Sequence, residues 1–468
     1  MTLSIIFLYL IPSFNIVETS YSQITTIGSE SETAITSYTD AIIKGPLLIA
    51  QALIVGVTVV HSFVLIPIIK QDSVFFNNNN NNDRFVWPFL VNNKQFIIII
   101  IACGAIIFNM ALILIIYQAS LLSSDLALDL SSTLLILFQS SVGNIFIIKL
   151  VTSTIIIILS ILYYYIAKKT QRWKYKEQQQ NIKHQKIKTN KTSLTFCILI
   201  LIVGSINIFS NSIQSHNAAV SFLPYLAIFI DWIHFMMVSI WVGGLFYISL
   251  LISRKLLIKE KISNLQYSKS FKNSIHIHLF LSIILRFSII ATISIGIIFI
   301  TGLYMSLLHL QLPTSLLNSP YGNILIVKLL LVFPMVLLGG YHHFRLHKLI
   351  NKKIWRQINL QLQKLKIFEK SLKLEFIFGI GVIFTSSFLT ITSPPQQDNF
   401  HNMDMVTLPY SEQSDSTKTT NNQNHLFDQF FSFITLLLSI SIALSVILFA
   451  RQGWLNLKIY NQNYQNNF

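Results

Sequence analysis

Nine apolar runs, most of them about 20 residues or longer, dominate this chain. A helix of that length crosses a hydrocarbon core ~30 Å thick while bonding all of its own backbone N–H and C=O groups, which lipid cannot do for it. A membrane barrel would instead show short segments alternating apolar and polar residues. The fold expected is an all-α, polytopic transmembrane helix bundle. Its spans cover residues 45–69, 95–118, 143–167, 193–213, 222–252, 282–306, 322–345, 374–393 and 427–450. The charged fraction, 11%, is less than half the roughly 25% of soluble domains. The chain is therefore an integral membrane protein.

The formal charge of +16 is not spread evenly. Basic residues gather after the first, third, fifth and seventh spans and in the tail (Lys70 and Arg84; Lys168 to Lys191; Arg254 to Lys272; Arg345 to Lys373; Arg451 and Lys458). The alternate loops carry the acids Glu30, Glu32, Asp40, Asp125, Asp129, Asp398, Asp404, Glu412 and Asp415. Lysine and arginine stay on the cytoplasmic side, so the expected N-terminus is outside and the C-terminus inside, in the cytoplasmic membrane. The positive charge then reports topology and the lipid bilayer as partner, not nucleic-acid binding.

The opening "MTLSIIFLYLIPSFNIVETSYSQ" reads as a signal peptide over 1–22, with Ser20-Tyr21-Ser22 as its cleavage site, although it lacks a basic start. Residues 23–44 follow as an external segment. The Asn77–Asn82 run and the stretch 396–426 have the composition of disordered loops. Cys103 and Cys197 both lie inside apolar runs and form neither a disulfide framework nor a CxxC metal site. No Walker A motif is present, which excludes ATP-driven pumping by a P-loop in this chain.

An internal repeat is visible. "GNIFIIKL" at Gly143 and "GNILIVKL" at Gly322 each open a span, with Lys149 and Lys328 about two turns in. Earlier in each half a span running inward carries a histidine, His61 or His234. The expected organisation is two four-helix units, 45–213 and 222–395, then a C-terminal helix at 427–450 and a tail at 451–468. Both units begin outside, so the repeat is parallel.

Ionisable groups in hydrocarbon cost at least ~2.5–3.5 kcal/mol each and so mark a function or a lock between helices. In "DWIHFMMVSIWVGG", Asp231, His234, Met237 and Trp241 are spaced three and four apart and share one helical face. Asp231 and Lys328 enter at similar depth as a candidate buried ion pair. The alternative for Lys149 and Lys328 is that they snorkel outward or clamp helices. Thioether sulfur selects Cu(I), and imidazole serves Cu(I), Cu(II) and Zn. Candidate metal ligands therefore run from the outside inward: His401, Met403 and Met405 in "HNMDM"; His216, Met305 and His309; Asp231, His234 and Met237; then Met335, His342 and His343. A methionine such as Met335 in an apolar span is more often core than ligand, and His342-His343 reads more readily as an interfacial pair. His184, His276, His278 and His425 fall in polar connectors and receive no role.

Four stretches in order, "DWIHFMMVSIWVGGLFYISL", "LRFSIIATISIGIIFITGLY", "SPYGNILIVKLLLVFPMVLLGGYHHFRL" and "KLEFIFGIGVIFTSSFLTITSPP", resemble the copper resistance D (CopD) membrane domain across residues 222–395. The resemblance implies copper transport across the cytoplasmic membrane toward the cytoplasm, in homeostasis or resistance. It points to His234, Arg286 and Lys328. The chain shows no fused CopC-type copper-binding domain, so a separate extracellular copper-binding protein is the expected donor, or HNMDM collects the ion. A different class of function stays open: a membrane haem protein or oxidoreductase with haem b held by intramembrane histidines such as His61 and His234. It requires the two histidines to be level. A third is a structural or assembly factor with no path for a ligand.

Overall fold

The computed structural model describes residues 30–68, 93–179, 189–219, 223–262, 269–309, 315–351, 358–392, 394 and 451. Those residues are helical apart from short connections, and eight helices are long and apolar enough to cross a membrane. Each coincides with one of the first eight expected spans. The ninth span, the signal peptide and HNMDM lie outside the described residues.

The helices in chain order are α1 (Glu30–Val59), α2 (Asn93–Leu126), α3 (Leu130–Gln139), α4 (Ser141–Gln179) and α5 (Thr189–Ile213), then a 3-10 turn at His216–Ala219. They continue with α6 (Pro224–Ile262), α7 (Lys269–His309), α8 (Ser315–Asn318), α9 (Pro320–Asn351) and α10 (Ile358–Leu389). Beyond Val59, α1 runs on as a π-helical stretch, Val60–Leu65.

The most buried span belongs to α1, which packs against α2, α5, α6 and α10. Its contact with α6 depends on glycine. A Cβ on Gly56 would lie 2.5 Å from the Cα of Gly243, and one on Gly243 would lie 2.6 Å from the carbonyl oxygen of Ala52. Neither helix has room for a side chain there, so the backbones touch. Lipid supplies no hydrophobic drive between helices, and close backbone approach is how such pairs gain dispersion energy.

The two copies of the sequence repeat build the same local structure. Ser140 Oγ accepts the Gly143 N–H at 3.1 Å, and Ser319 Oγ accepts the Gly322 N–H at 3.0 Å, each a serine cap over the first turn of α4 or α9. In both copies a short preceding helix, α3 or α8, presses its backbone onto the glycine (Leu137 against Gly143, Leu316 against Gly322), so a Cβ at either position would clash. We call this the cap end of the bundle.

The halves differ in one respect that matters for the site. Among the described residues, α2 and α4 pack extensively, whereas their counterparts α7 and α9 meet only marginally. Instead α9 leans on α10 and leaves Leu329, Leu330, Phe333 and Leu337 exposed. The first half is closed by a buried amide network. Gln51 Nε2 donates to Asn207 Oδ1 at 2.5 Å, Asn211 Nδ2 donates to Gln51 Oε1 at 2.7 Å, and Asn207 Nδ2 donates to Thr152 Oγ1 at 2.5 Å. Three helices, α1, α4 and α5, are tied together by neutral groups that satisfy one another.

Candidate functional site

The soft and basic side chains of the second half line up along α7. Thr301, Met305 and His309 are four residues apart, so they stand one above another on one face, about 6 Å per step along the axis. The lowest step holds His234 from α6. His234 Nδ1 lies 2.8 Å from Thr301 Oγ1, and the imidazole sits over Gly302, whose absent Cβ would be 3.3 Å from His234 Cε1. Thr301 donates its own proton to the Ile297 carbonyl at 2.7 Å. The proton in the His234 contact is therefore on Nδ1, and Nε2 keeps its lone pair. A fixed tautomer of this kind is what a ligand histidine needs.

One helical turn higher, Asn217 of the 3-10 turn bridges the other two groups. His309 Nε2 lies 2.8 Å from Asn217 Oδ1, and Asn217 Nδ2 donates to Met305 Sδ at 3.6 Å. An amide oxygen only accepts, so His309 carries its proton on Nε2 and its lone pair on Nδ1. Tyr321 meets the His309 ring edge-on, with centroids 5.9 Å apart. His216, beside Asn217, has a buried Nε2 with no hydrogen-bond partner and interacts electrostatically with His309. Burial holds its imidazole below the ordinary value, Lys44 adds to this, and the Leu389 and Thr392 carbonyls oppose it.

Asp231 is half-buried, faces the Ser212 and Ser215 hydroxyls, and feels the charge of Lys328. Lys328 acts in turn on both Asp231 and His234. No contact within 4.0 Å joins Asp231 and Lys328; ion pairs at that distance among the described residues include Lys44–Asp40 and Lys373–Glu369, each i,i+4 on one helix. Lys149 is 3% exposed, reaches Gln214 Oε1 at 3.5 Å and lies over the Phe146 ring. It is thus packed between helices, whereas Lys328 borders the loose α7–α9 side.

The face read from "DWIHFMMVSIWVGG" divides among neighbours. His234 turns to α7, while Trp241 Nε1 donates to Glu375 Oε1 of α10 at 3.3 Å. Met237 is half-buried on α6. Met335 is 1% exposed with its methyl against Gly379, which is a packing position in the core. Arg286 is on α7 near Phe287, the ring that fills the space over Gly244. His342 and His343 fall in the last turns of α9, their side chains outside the described set; His401, Met403 and Met405 are also outside it.

His61 belongs elsewhere. Its Nδ1 lies 2.9 Å from Tyr247 Oη, its ring stacks on Phe96 at 4.1 Å, and its Nε2 is buried without a partner. Tyr247 is thirteen residues beyond His234 on the same helix, which places His61 ~20 Å from the level of His234. The level pair that bis-histidine haem ligation requires is not formed by these two residues.

Sequence reasoning passed over Asn217, Thr301, Tyr321 and Glu375. Asn217 directly follows the candidate ligand His216, but nothing local in the sequence signals that it reaches α7. Among the described residues no group of three or more His, Cys, Asp or Glu is placed to hold a metal ion. What the α7 face offers is imidazole and thioether in small numbers, a set suited to a soft, exchanging ion.

Comparison with known proteins bears on this region. Residues 281–389 match the family described as Copper resistance protein D. Over 181 residues the chain is 28% identical to "Copper transport protein CutJ" of Bacillus subtilis (strain 168), a stretch amounting to 38% of this chain and 28% of that protein's length. No solved structure matches the chain. The matched family segment contains Thr301, Met305, His309, Lys328 and Glu375, all on the helices just described. Within this multi-pass membrane protein, the stretch from residue 281 to residue 389 is thus similar to the CopD family.

Proposed function

We propose that this protein carries copper across the cytoplasmic membrane, toward the cytoplasm, through the second half of the bundle. The observation that carries the reading is the ladder His309, Met305, His234, with each ligand atom oriented by a neighbour and successive steps about one helical turn apart. The CopD segment supplies two of the three rungs. Conduction needs sites that bind well enough to be entered and weakly enough to be left. One imidazole or one thioether per step meets that need better than a closed cage.

Charge supports the same path. A cation at His234 is attracted by Asp231 and repelled by Lys328, so the two balance and the ion is not trapped. In this reading the cap end faces outside, where the alternate acidic loops lie, and the basic loops face the cytoplasm. His401, Met403 and Met405, or a separate extracellular copper-binding protein, deliver the ion. His342 and His343 stand at the exit. The two halves act as related four-helix units, the first a closed scaffold and the second the conducting one.

The test is copper accumulation in cells expressing the wild type or His234→Ala at equal membrane abundance. Reduced accumulation with His234→Ala is the expected result. Equal accumulation overturns the proposal.

A further inference from the structure

At the cap end, Met305 and His309 of α7 both bond the side chain of Asn217 on the neighbouring 3-10 turn, and His216 precedes that asparagine on the same turn. A helix clamp would need only the Asn217–His309 hydrogen bond. Here the amide uses both ends: its oxygen takes the His309 proton, and its nitrogen donates to the Met305 sulfur. The consequence is chemical. His309 is held with a bare Nδ1, Met305 has its sulfur drawn toward the same amide, and Asn217 itself is 6% exposed, so bulk water does not compete for these contacts.

The neighbouring residue completes the set. His216 stands next to Asn217 on the 3-10 turn; its ring engages the Leu389 and Thr392 carbonyls, while its Nε2 is buried without a hydrogen-bond partner. A buried imidazole nitrogen left unsatisfied is costly, and an arriving cation would offset that cost. Because residues 216 and 217 sit on one short turn, the same backbone segment that orients two ligands brings the third. Two imidazoles and a thioether are soft to borderline donors without a carboxylate among them, which selects a soft monovalent ion over Zn(II) or Ca(II).

We propose that His216, Met305 and His309 form a capture site for Cu(I) at the cap end, with Asn217 as its positioning residue. The metal's identity rests on the copper-transport reading above; the ligand set does not. On binding, the Met305 sulfur exchanges the Asn217 N–H for the ion, and Asn217 continues to fix the His309 tautomer from behind.

The experiment uses the full chain in lipid nanodiscs, with His401, Met403 and Met405 replaced by alanine so that the external loop does not contribute. Cu(I) affinity is measured by competition with a chromophoric chelator, and Ag(I) serves as a redox-inert second probe. X-ray absorption at the copper edge reads the ligands. The expected result is one tightly held ion with a sulfur scatterer and two nitrogen scatterers. Met305→Leu should remove the sulfur signal, and Met305→Cys should restore one. Asn217→Ala keeps all three ligands yet should weaken binding about 10–100-fold, as loss of a positioning partner does. If Met305→Leu fails to give monodisperse protein, His309→Gln provides the same reading through the nitrogen count.

Unchanged affinity and an unchanged spectrum in Met305→Leu and His309→Gln would overturn the capture site, even if cells still accumulate copper. Binding with the expected spectrum, in a protein whose expression moves no copper, would leave the capture site standing and overturn the transport reading instead.

Discussion

Gly56 of α1 and Gly243 of α6 meet backbone to backbone, at the point where the leading spans of the two halves cross. The contact fixes the relative level of everything else, since His61 and Tyr247 join one turn further along. Gly56→Leu or Gly243→Leu must push α1 and α6 apart by the width of a side chain. We expect each to lower the thermal unfolding midpoint in detergent sharply and to abolish monodisperse elution, because overpacking costs of about 1–3 kcal/mol apply even where some relaxation is possible. Gly340→Ala is the control, since no atom lies within 4 Å of a Cβ there.

Thr301 sets the tautomer of His234 through its hydroxyl, so its removal should affect function before stability. Thr301→Val keeps the shape, loses the acceptor and frees the imidazole to rotate. Copper accumulation should fall about 10–100-fold, the range for loss of a partner that orients a ligand histidine. Thr301→Ser should restore most of it. Accumulation equal to wild type in Thr301→Val would remove Thr301 from the path.

His61 and Tyr247 provide a test of the haem alternative and of packing together. Tyr247→Phe takes the 2.9 Å contact from His61 Nδ1, whose companion Nε2 is already unpartnered, and should destabilise by about 1–3 kcal/mol. The double variant His61→Phe with Tyr247→Phe removes both partners, retains a ring on Phe96, and should be nearly neutral by comparison. Purified wild type is expected to be colourless. A Soret band lost in His61→Phe would assign the haem role to His61 with some other axial partner.

His216 lies between the spans and is held below its ordinary value by burial, with Lys44 adding to the effect. The unfolded segment therefore takes up a proton on His216 at a higher pH than the docked segment does. Docking is fully stable above the unfolded value of 6.5 and loses stability as pH falls below it toward the folded value. In metal-free protein, hydrogen exchange at residues 215–218 should quicken as pH is lowered from 7 to 5, after correction for the intrinsic rate. His216→Gln should flatten that response. Lys44→Gln, by removing a repelling charge, should move it to higher pH in the folded state and make it shallower.

Much of this protein was legible before any coordinates. The apolar runs dictated eight of the helices because lipid leaves a spanning backbone no other partner. The "GNIxIxKL" repeat correctly marked two equivalent helix starts, since a serine cap and a glycine under a short helix are local devices. His216, Met305 and His309 were visible as imidazoles and a thioether of matching depth. Their convergence was not. It depends on Asn217, whose partners His309 and Met305 lie more than eighty residues away in the chain.

The distance in depth between His61 and His234 is a property of the packing. His61 and His234 stand in corresponding spans, and the repeat invites pairing them. Only the packing of Gly56 on Gly243 decides the register between α1 and α6, and it sets the two histidines about four turns apart. The sequence by itself determined the position, length and apolar character of the eight described spans, because those follow from one helix meeting one solvent. The tertiary structure alone decided which helices touch. That choice rests on close backbone contacts and a few hydrogen bonds between distant residues, so α2 and α4 close the first half while α7 and α9 stay apart in the second.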